Sequence, residues 1–198
     1  MAHHVNKINN LKKLIYSVNE MFYTINRFQH SQYNKQTLKS TPFILNEYYK
    51  NNSEDWKQYI NTIDVNKYGY HKYNIFDDHS KFNNSNYFKN NLKFSIVTWL
   101  PDAKTDFHLH LNNGCIMMPL KGYLTQNIIK SKNNILHPND KDKDKDNYNQ
   151  NTLFSGEYSY IDDEIGMHRI LNTSNNIAVS INIYQENNVK EDEIPINV

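Results

Sequence analysis

From Tyr68 to Tyr184 the chain is a succession of short β-forming runs broken by glycine, proline and asparagine, with no helical repeat between them. The runs are Tyr68, Tyr70, Tyr73 and Ile75; Phe94, Ile96, Thr98 and Trp99, closed by Pro101; Phe107 to Leu111; Cys115 to Leu120; Leu124 to Ile129; Tyr158 to Asp162; His168 to Leu171; and Ile177 to Tyr184. Gly114 and Gly122 are turn points between them. Parallel strands need crossover segments, usually helices, so Rossmann and TIM arrangements are excluded. What remains is an antiparallel barrel or jelly roll, mainly β. Ile177, Val179, Ile181 and Ile183 alternate along the last run and are assigned with Trp99 to the core.

The front of the chain is different. Leu11, Leu14, Ile15, Val18, Met21, Phe22 and Ile25 recur at helical spacing and predict a helix over residues 8–27. The polar stretch Gln29 to Ser40 is expected to be a connector. Thr41 and Pro42 suit a cap and first-turn proline for a short helix through Phe43, Leu45 and Tyr48. Asn52 and Ser53, followed by Glu54 and Asp55, then open a third through Trp56, Tyr59 and Ile60. The expectation is one domain over residues 1–198, with a helical cap (8–63) on a β core (64–185). Ser131 to Asn151, low in hydrophobicity with alternating Lys and Asp, is expected to be a solvated loop between strands; a calcium loop is disfavoured because KDKDKD lacks its glycine and terminal glutamate. Glu186 to Val198 is expected to be a surface tail.

Composition narrows the function. With 38% hydrophobic residues in 198, Tyr 15 and Phe 9, the chain can bury a core for one domain. The net charge of +1 gives no electrostatic case for nucleic acid. No run reaches the ~18 apolar residues of a membrane span, and MAHHVNKINN carries no signal-peptide core. The lone Cys115 excludes an internal disulfide framework, and a reducing, cytoplasmic location is expected. Arg27 and Arg169 are the only arginines among 22 basic residues, so a site needing a cation must mostly use lysine.

Of the nine histidines, His3, His4, His30, His71, His79 and His137 lie in polar surroundings and carry no assignment. His108 and His110 differ. Separated by one residue in TDFHLHLNNG, they would point to the same side of a strand and form half of a metal site. His168, in DDEIGMHRI, is the natural third ligand from a later strand. Asp162, Asp163 and Glu164 could orient an imidazole, but a solvated turn is the favoured reading. Arg169 should face away from the pocket.

These residues carry a resemblance. Gly122 with His108 and His110 resembles the first motif of the cupin superfamily, and His168 is similar to the histidine of the second. The closer likeness is to cysteine dioxygenase of the eukaryotic type. It rests on NSEDWKQY, YGYHKYN, TWLPDAKTDFHLHLNNGC, the glycine of MPLKGYL, YIDDEIGMHRILN and IAVSINIY, in that order across most of residues 52–184.

The resemblance implies a cupin antiparallel β-barrel (jelly roll) with an N-terminal helical cap. It also implies a ferrous iron held by His108, His110 and His168, and a thioether between Cys115 and Tyr184. Ser180 would be the serine behind the site and Tyr70 a pocket tyrosine. Two positions depart from the family pattern: Lys72 stands where an arginine holds the substrate carboxylate, and Asn182 where a histidine lies near the tyrosine. Ordinary cupins place a carboxylate ligand a few residues past HxH, where this chain has Asn113, Gly114 and Cys115. Three neutral imidazoles depart from the two-histidine, one-carboxylate ferrous site and leave positions for a thiolate, its amine and dioxygen. The expected activity is oxidation of cysteine or a related small thiol to its sulfinic acid by a monomer. The helical front is expected to restrict the pocket to small thiols. The alternatives are a metal-holding cupin that binds or isomerises a small molecule, and a non-catalytic binding module.

Overall fold

The computed structural model describes residues 7–28, 34–51, 54–75, 92–110, 114–130 and 148–185. Three helices lead: α1 (Leu11–Phe28), α2 (Asn34–Ser40) and α3 (Pro42–Lys50), followed by a 3-10 turn at Asp55–Tyr59. Eight strands follow: β1 (Tyr70–Asn74), β2 (Leu92–Trp99), β3 (Cys115–Lys121), β4 (Tyr123–Lys130), β5 (Asn149–Phe154), β6 (Ser159–Ile161), β7 (Gly166–Leu171) and β8 (Ala178–Gln185). Among the described residues no helix is long and apolar enough to cross a membrane.

The strands form two sheets and do not close into a barrel. One sheet has the order β1-β2-β8-β3-β6 and the other β5-β4-β7. Every pairing among the described residues is antiparallel. The closed jelly roll of the sequence reading is therefore wrong, and the fold is mixed α and β. The physical reason lies after β2. Among the described residues, 107–110 form no ladder strand; after the turn at 101–102 the segment pairs with β7 at two isolated bridges, Lys104↔Leu171 and His108↔His168, and Thr105 accepts from the Ile170 N–H through Oγ1 at 3.0 Å. Asp102, at φ 62, turns this segment away from the β2 direction. A ladder cannot continue through such a turn, so the sheets meet along this margin without a shared strand.

The alternation of β8 organises both faces. Val179, Ile181 and Ile183 are fully buried against Leu14, Val18, Phe22, Leu38, Leu45 and Tyr48 of the helices. Ser180, Asn182 and Tyr184 consequently face the three-stranded sheet. A second core of Val97, Trp99, Met117, Leu124, Leu153 and Ile170 fills that space. Gly122, at φ 74, lets the chain leave β3 in one sheet and enter β4 in the other.

Several local expectations changed. The connector Gln29 to Ser40 contains α2, whose Thr37 and Leu38 are buried; its apolar content is too low to announce a helix. Pro42 does open α3, but the Thr41 side chain does not cap it, and its Oγ1 donates to the Leu38 carbonyl at 2.7 Å. Asp55 ties the helices together, accepting from the Leu11 N–H at 2.7 Å and the Tyr48 hydroxyl at 2.7 Å. That places a carboxylate at the positive end of α1. β5 takes in the last residues of the predicted loop, an edge strand of mostly exposed polar residues. Residues 131–147, Leu111 and the tail 186–198 lie outside the described residues.

Asn172 fastens the sheets together behind Trp99. Its Nδ2 is shared among the carbonyls of Trp99 (3.1 Å), Leu100 (3.0 Å) and Asn176 (2.8 Å), while Oδ1 accepts from the Ser174 N–H (3.1 Å) and hydroxyl (2.7 Å). The residue is 1% exposed, so truncation would strand buried carbonyls. Asn172→Ala is expected to cost about 1–3 kcal/mol in urea unfolding; a loss below ~0.5 kcal/mol would show that the amide is not the fastening.

Candidate metal centre

Three histidines from two segments meet between the sheets. His168 is on β7 and 3% exposed. His108 lies opposite it: the N–H of each donates to the carbonyl of the other, both at 2.9 Å. His110, two residues on, brings its ring to the same side. The His168 Nε2 is 3.0 Å from His110 Nε2 and 3.1 Å from His108 Nε2. Among the described residues this is the group able to hold a metal ion, and it consists of imidazoles alone.

The donor set fits a divalent cation. Two nitrogens each about 2.1 Å from one ion, at right angles, stand about 3 Å apart, close to the separations here. Burial lowers the pKa of all three rings, that of His110 to about 3, and their mutual proximity lowers those of His110 and His168 further. The Lys72 charge adds to the lowering at His108 and His110. The rings are therefore neutral at pH 7, with lone pairs available to a metal. The site can chelate a divalent metal.

Outside the triad, Nδ1 of His108 lies 2.9 Å from the Asp106 carbonyl. Nδ1 of His168 lies 2.8 Å from Nε2 of Gln126, whose Oε1 accepts from Ser159 at 2.5 Å. Sequence reasoning missed both Gln126 and Ser159. The available signal was Gln126 itself, a polar residue in the middle of the apolar run from Leu124 to Ile129.

The remaining expected residues lie on β1, β8 and β3 of the larger sheet. Cys115 and Tyr184 are directly opposite across β3 and β8. Cys115 is buried, which pushes its thiol up to about 12, with the Lys72 charge opposing. Lys72 Nζ donates to the Tyr184 hydroxyl at 2.6 Å and sits 4.4 Å from that ring's centroid. Trp99 Nε1 donates to Ser180 Oγ at 3.0 Å, and Ser180 donates to Asn182 Oδ1 at 2.9 Å. Tyr70 packs on Trp99, centroids 5.1 Å apart.

Asp162 is fully buried rather than solvated. It accepts from the Tyr160 hydroxyl at 2.8 Å and the Ile165 N–H at 3.0 Å, closing the turn into β7. Gln126, not this acidic run, is the side chain bonded to the His168 ring. Arg169 points away as expected: its guanidinium lies 4.7 Å from the Phe107 ring centre and 5.3 Å from that of Tyr148. With the Asn127 carboxamide oxygen turned toward it, Arg169 also donates through Nε and Nη2 at 3.2 Å each.

A family profile described as cysteine dioxygenase type I matches residues 17–188. The chain belongs to the cysteine dioxygenase type I family. Cysteine dioxygenase type 1 of Danio rerio is 24% identical over 158 residues, covering 79% of this chain and 68% of that protein. The Rattus norvegicus protein of the same name is 25% identical over 139 residues, covering 70% of this chain. The match spans 60% of the length of the rat relative. Membership of the cysteine dioxygenase family, together with the triad, supports an oxidoreductase.

The lowered imidazole pKa values make stability depend on pH. In the unfolded chain histidine takes up a proton below about 6.5, whereas folded His110 stays neutral to about 3. Between these values the unfolded state binds more protons, so stability is full above the window and falls as pH drops through it. The urea midpoint of chelator-treated protein is expected to decline from pH 7 to pH 4.5, with a shallower decline in His110→Asn. An unchanged slope in the variant would contradict this origin.

Proposed function

We propose that the protein is a non-haem iron thiol dioxygenase that converts cysteine, or a related small thiol, and dioxygen to the sulfinic acid. The observation that carries the proposal is the all-histidine donor set of His108, His110 and His168 in a member of this family. A ferrous ion held there would supply neighbouring positions for the substrate sulfur and for dioxygen. With three neutral ligands its charge is uncompensated, which favours an anionic thiolate over a neutral ligand. The Cys115 thiol, protonated at neutral pH because burial raises its pKa, does not compete for that place.

Lys72 is assigned to the substrate carboxylate. An ammonium has three donors; one is engaged by the Tyr184 hydroxyl, and two remain. Its charge is felt at His108, His110 and Cys115, as a residue facing the site requires. Tyr70 forms a wall with Trp99, and the Trp99–Ser180–Asn182 chain of hydrogen bonds holds the strand behind Tyr184. Asn182 thereby keeps an oriented polar group where relatives carry an imidazole. The implied thioether would join the facing neighbours Cys115 and Tyr184. It replaces an S–H and a ring C–H by one S–C bond, and dioxygen is the class of oxidant that removes the two electrons.

Two outcomes are expected. Protein purified anaerobically with ferrous iron should bind one equivalent and consume oxygen with cysteine, and His168→Ala should lose both properties. Iron content and turnover retained in His168→Ala would overturn the ligand assignment, whereas metal bound without oxygen uptake on any thiol would favour a non-oxidative binding role.

For Lys72, the loss of a charge-assisted contact costs roughly 1.5–3 kcal/mol, so Lys72→Ala should lower kcat/KM for cysteine by about one to two orders of magnitude. Cysteamine, which has no carboxylate, should change little, and Lys72→Arg should tighten cysteine binding if the pocket admits the planar fork. An equal loss on cysteine and cysteamine in steady-state kinetics would assign Lys72 to Tyr184 or the metal site instead.

A further inference from the structure

We propose that Gln126 is the positioning residue of His168: its carboxamide oxygen accepts a hydrogen bond from Nδ1–H and so directs the Nε2 lone pair into the metal site. This rests on the reading of His168 as a ligand. An imidazole that binds metal through Nε2 carries its proton on Nδ1, and a buried N–H needs an acceptor within the protein. The group at that position is Gln126, 2.8 Å from Nδ1 and 2% exposed.

The pairing with Ser159 lets the amide sit in either orientation. With Nε2 toward the ring, Oε1 accepts the Ser159 hydroxyl proton at 2.5 Å. Turned by half a revolution, Oε1 faces the ring and Nε2 faces Ser159. Amide oxygen and nitrogen occupy nearly equivalent positions, and a hydroxyl both donates and accepts. Each orientation therefore satisfies both partners of the amide at no loss of hydrogen bonds. The ligand role of His168 decides between them, because an amide nitrogen cannot accept the Nδ1 proton. Ser159 acts one step further out, holding whichever end of the amide faces it. β4 supplies Gln126 and β6 supplies Ser159, so the relay also connects the two sheets behind His168.

The choice of an amide has a chemical consequence. A carboxylate could take the same proton, but it would add a negative charge beside the triad. Gln126 orients the ring while leaving the metal's charge uncompensated, which keeps the attraction for an anionic sulfur ligand.

The test is anaerobic Co(II) titration of the full chain, followed by visible absorption. Gln126→Leu is expected to weaken Co(II) about 10–100-fold, with Gln126→Glu restoring or exceeding wild-type affinity through its acceptor oxygens. His168→Ala serves as the reference. Wild-type affinity in Gln126→Leu, with binding lost in His168→Ala, overturns the role of Gln126 alone; wild-type affinity in His168→Ala overturns the ligand reading beneath it. Equal weakening in Leu and Glu variants assigns Gln126 to packing and also overturns the proposal. A readout independent of substitution is the nitrogen-15 imidazole spectrum of the Zn(II)-loaded wild type: a proton on His168 Nδ1 is expected, and one on Nε2 refutes it.

Discussion

The reciprocal pair of backbone hydrogen bonds between His108 and His168 is the contact on which the rest of the site depends. It joins a non-strand segment to β7 at one point, and both residues of that point carry rings toward the same centre. On the opposite face, Arg169 lies against Phe107, the residue next to His108, so the crossing is gripped from both sides. An isolated bridge has little cooperative support from a ladder. The outer cation–π contact and the inner Gln126 bond supply support that a continuous strand would otherwise give.

Charge and burial are balanced at this point in a particular way. Three imidazoles without a carboxylate stay neutral because burial disfavours their charged forms, helped at His110 and His168 by the neighbouring rings. The cation whose charge acts on His108 and His110 is Lys72, which is itself held by the Tyr184 hydroxyl and ring. A cation so placed opposes protonation of the rings and attracts an anion. In an arginine-poor chain the lysine offers that charge without the planar fork that fixes a carboxylate in one orientation. Carboxamides take up much of the remaining directional work: Gln126 at His168, Asn127 at Arg169, Asn172 between the sheets and Asn182 at Ser180.

The main features of the site could be read from the chain because they are local. HxH predicts two rings on one side from backbone alternation, and alternating Val179, Ile181 and Ile183 identify the apolar face of β8 and, by the same rule, the polar face carrying Ser180, Asn182 and Tyr184. The α1 periodicity and the opening of α3 at Pro42 were local in the same sense. His168 was readable as the natural third candidate from its place on a later strand, and the resemblance, shown by the match over residues 17–188, implied the same grouping.

Tertiary structure decided what local pattern cannot encode. Whether the sheets close depends on the turn at Asp102 and on how residues 101–110 lie against β7, and the answer was two sheets joined by isolated bridges rather than a barrel. Gln126, Ser159 and Asn172 acquired their roles only when residues 33 to 73 positions apart met in a buried space, where an amide must find partners. Asp162, read as a solvated residue, became a buried turn acceptor for the same reason. The sequence by itself determined which residues could share a face and which could bind a metal, because side-chain periodicity and donor chemistry are properties of short segments. Which of them touch was decided by packing, because desolvation and hydrogen-bond satisfaction depend on neighbours that the chain brings from far away.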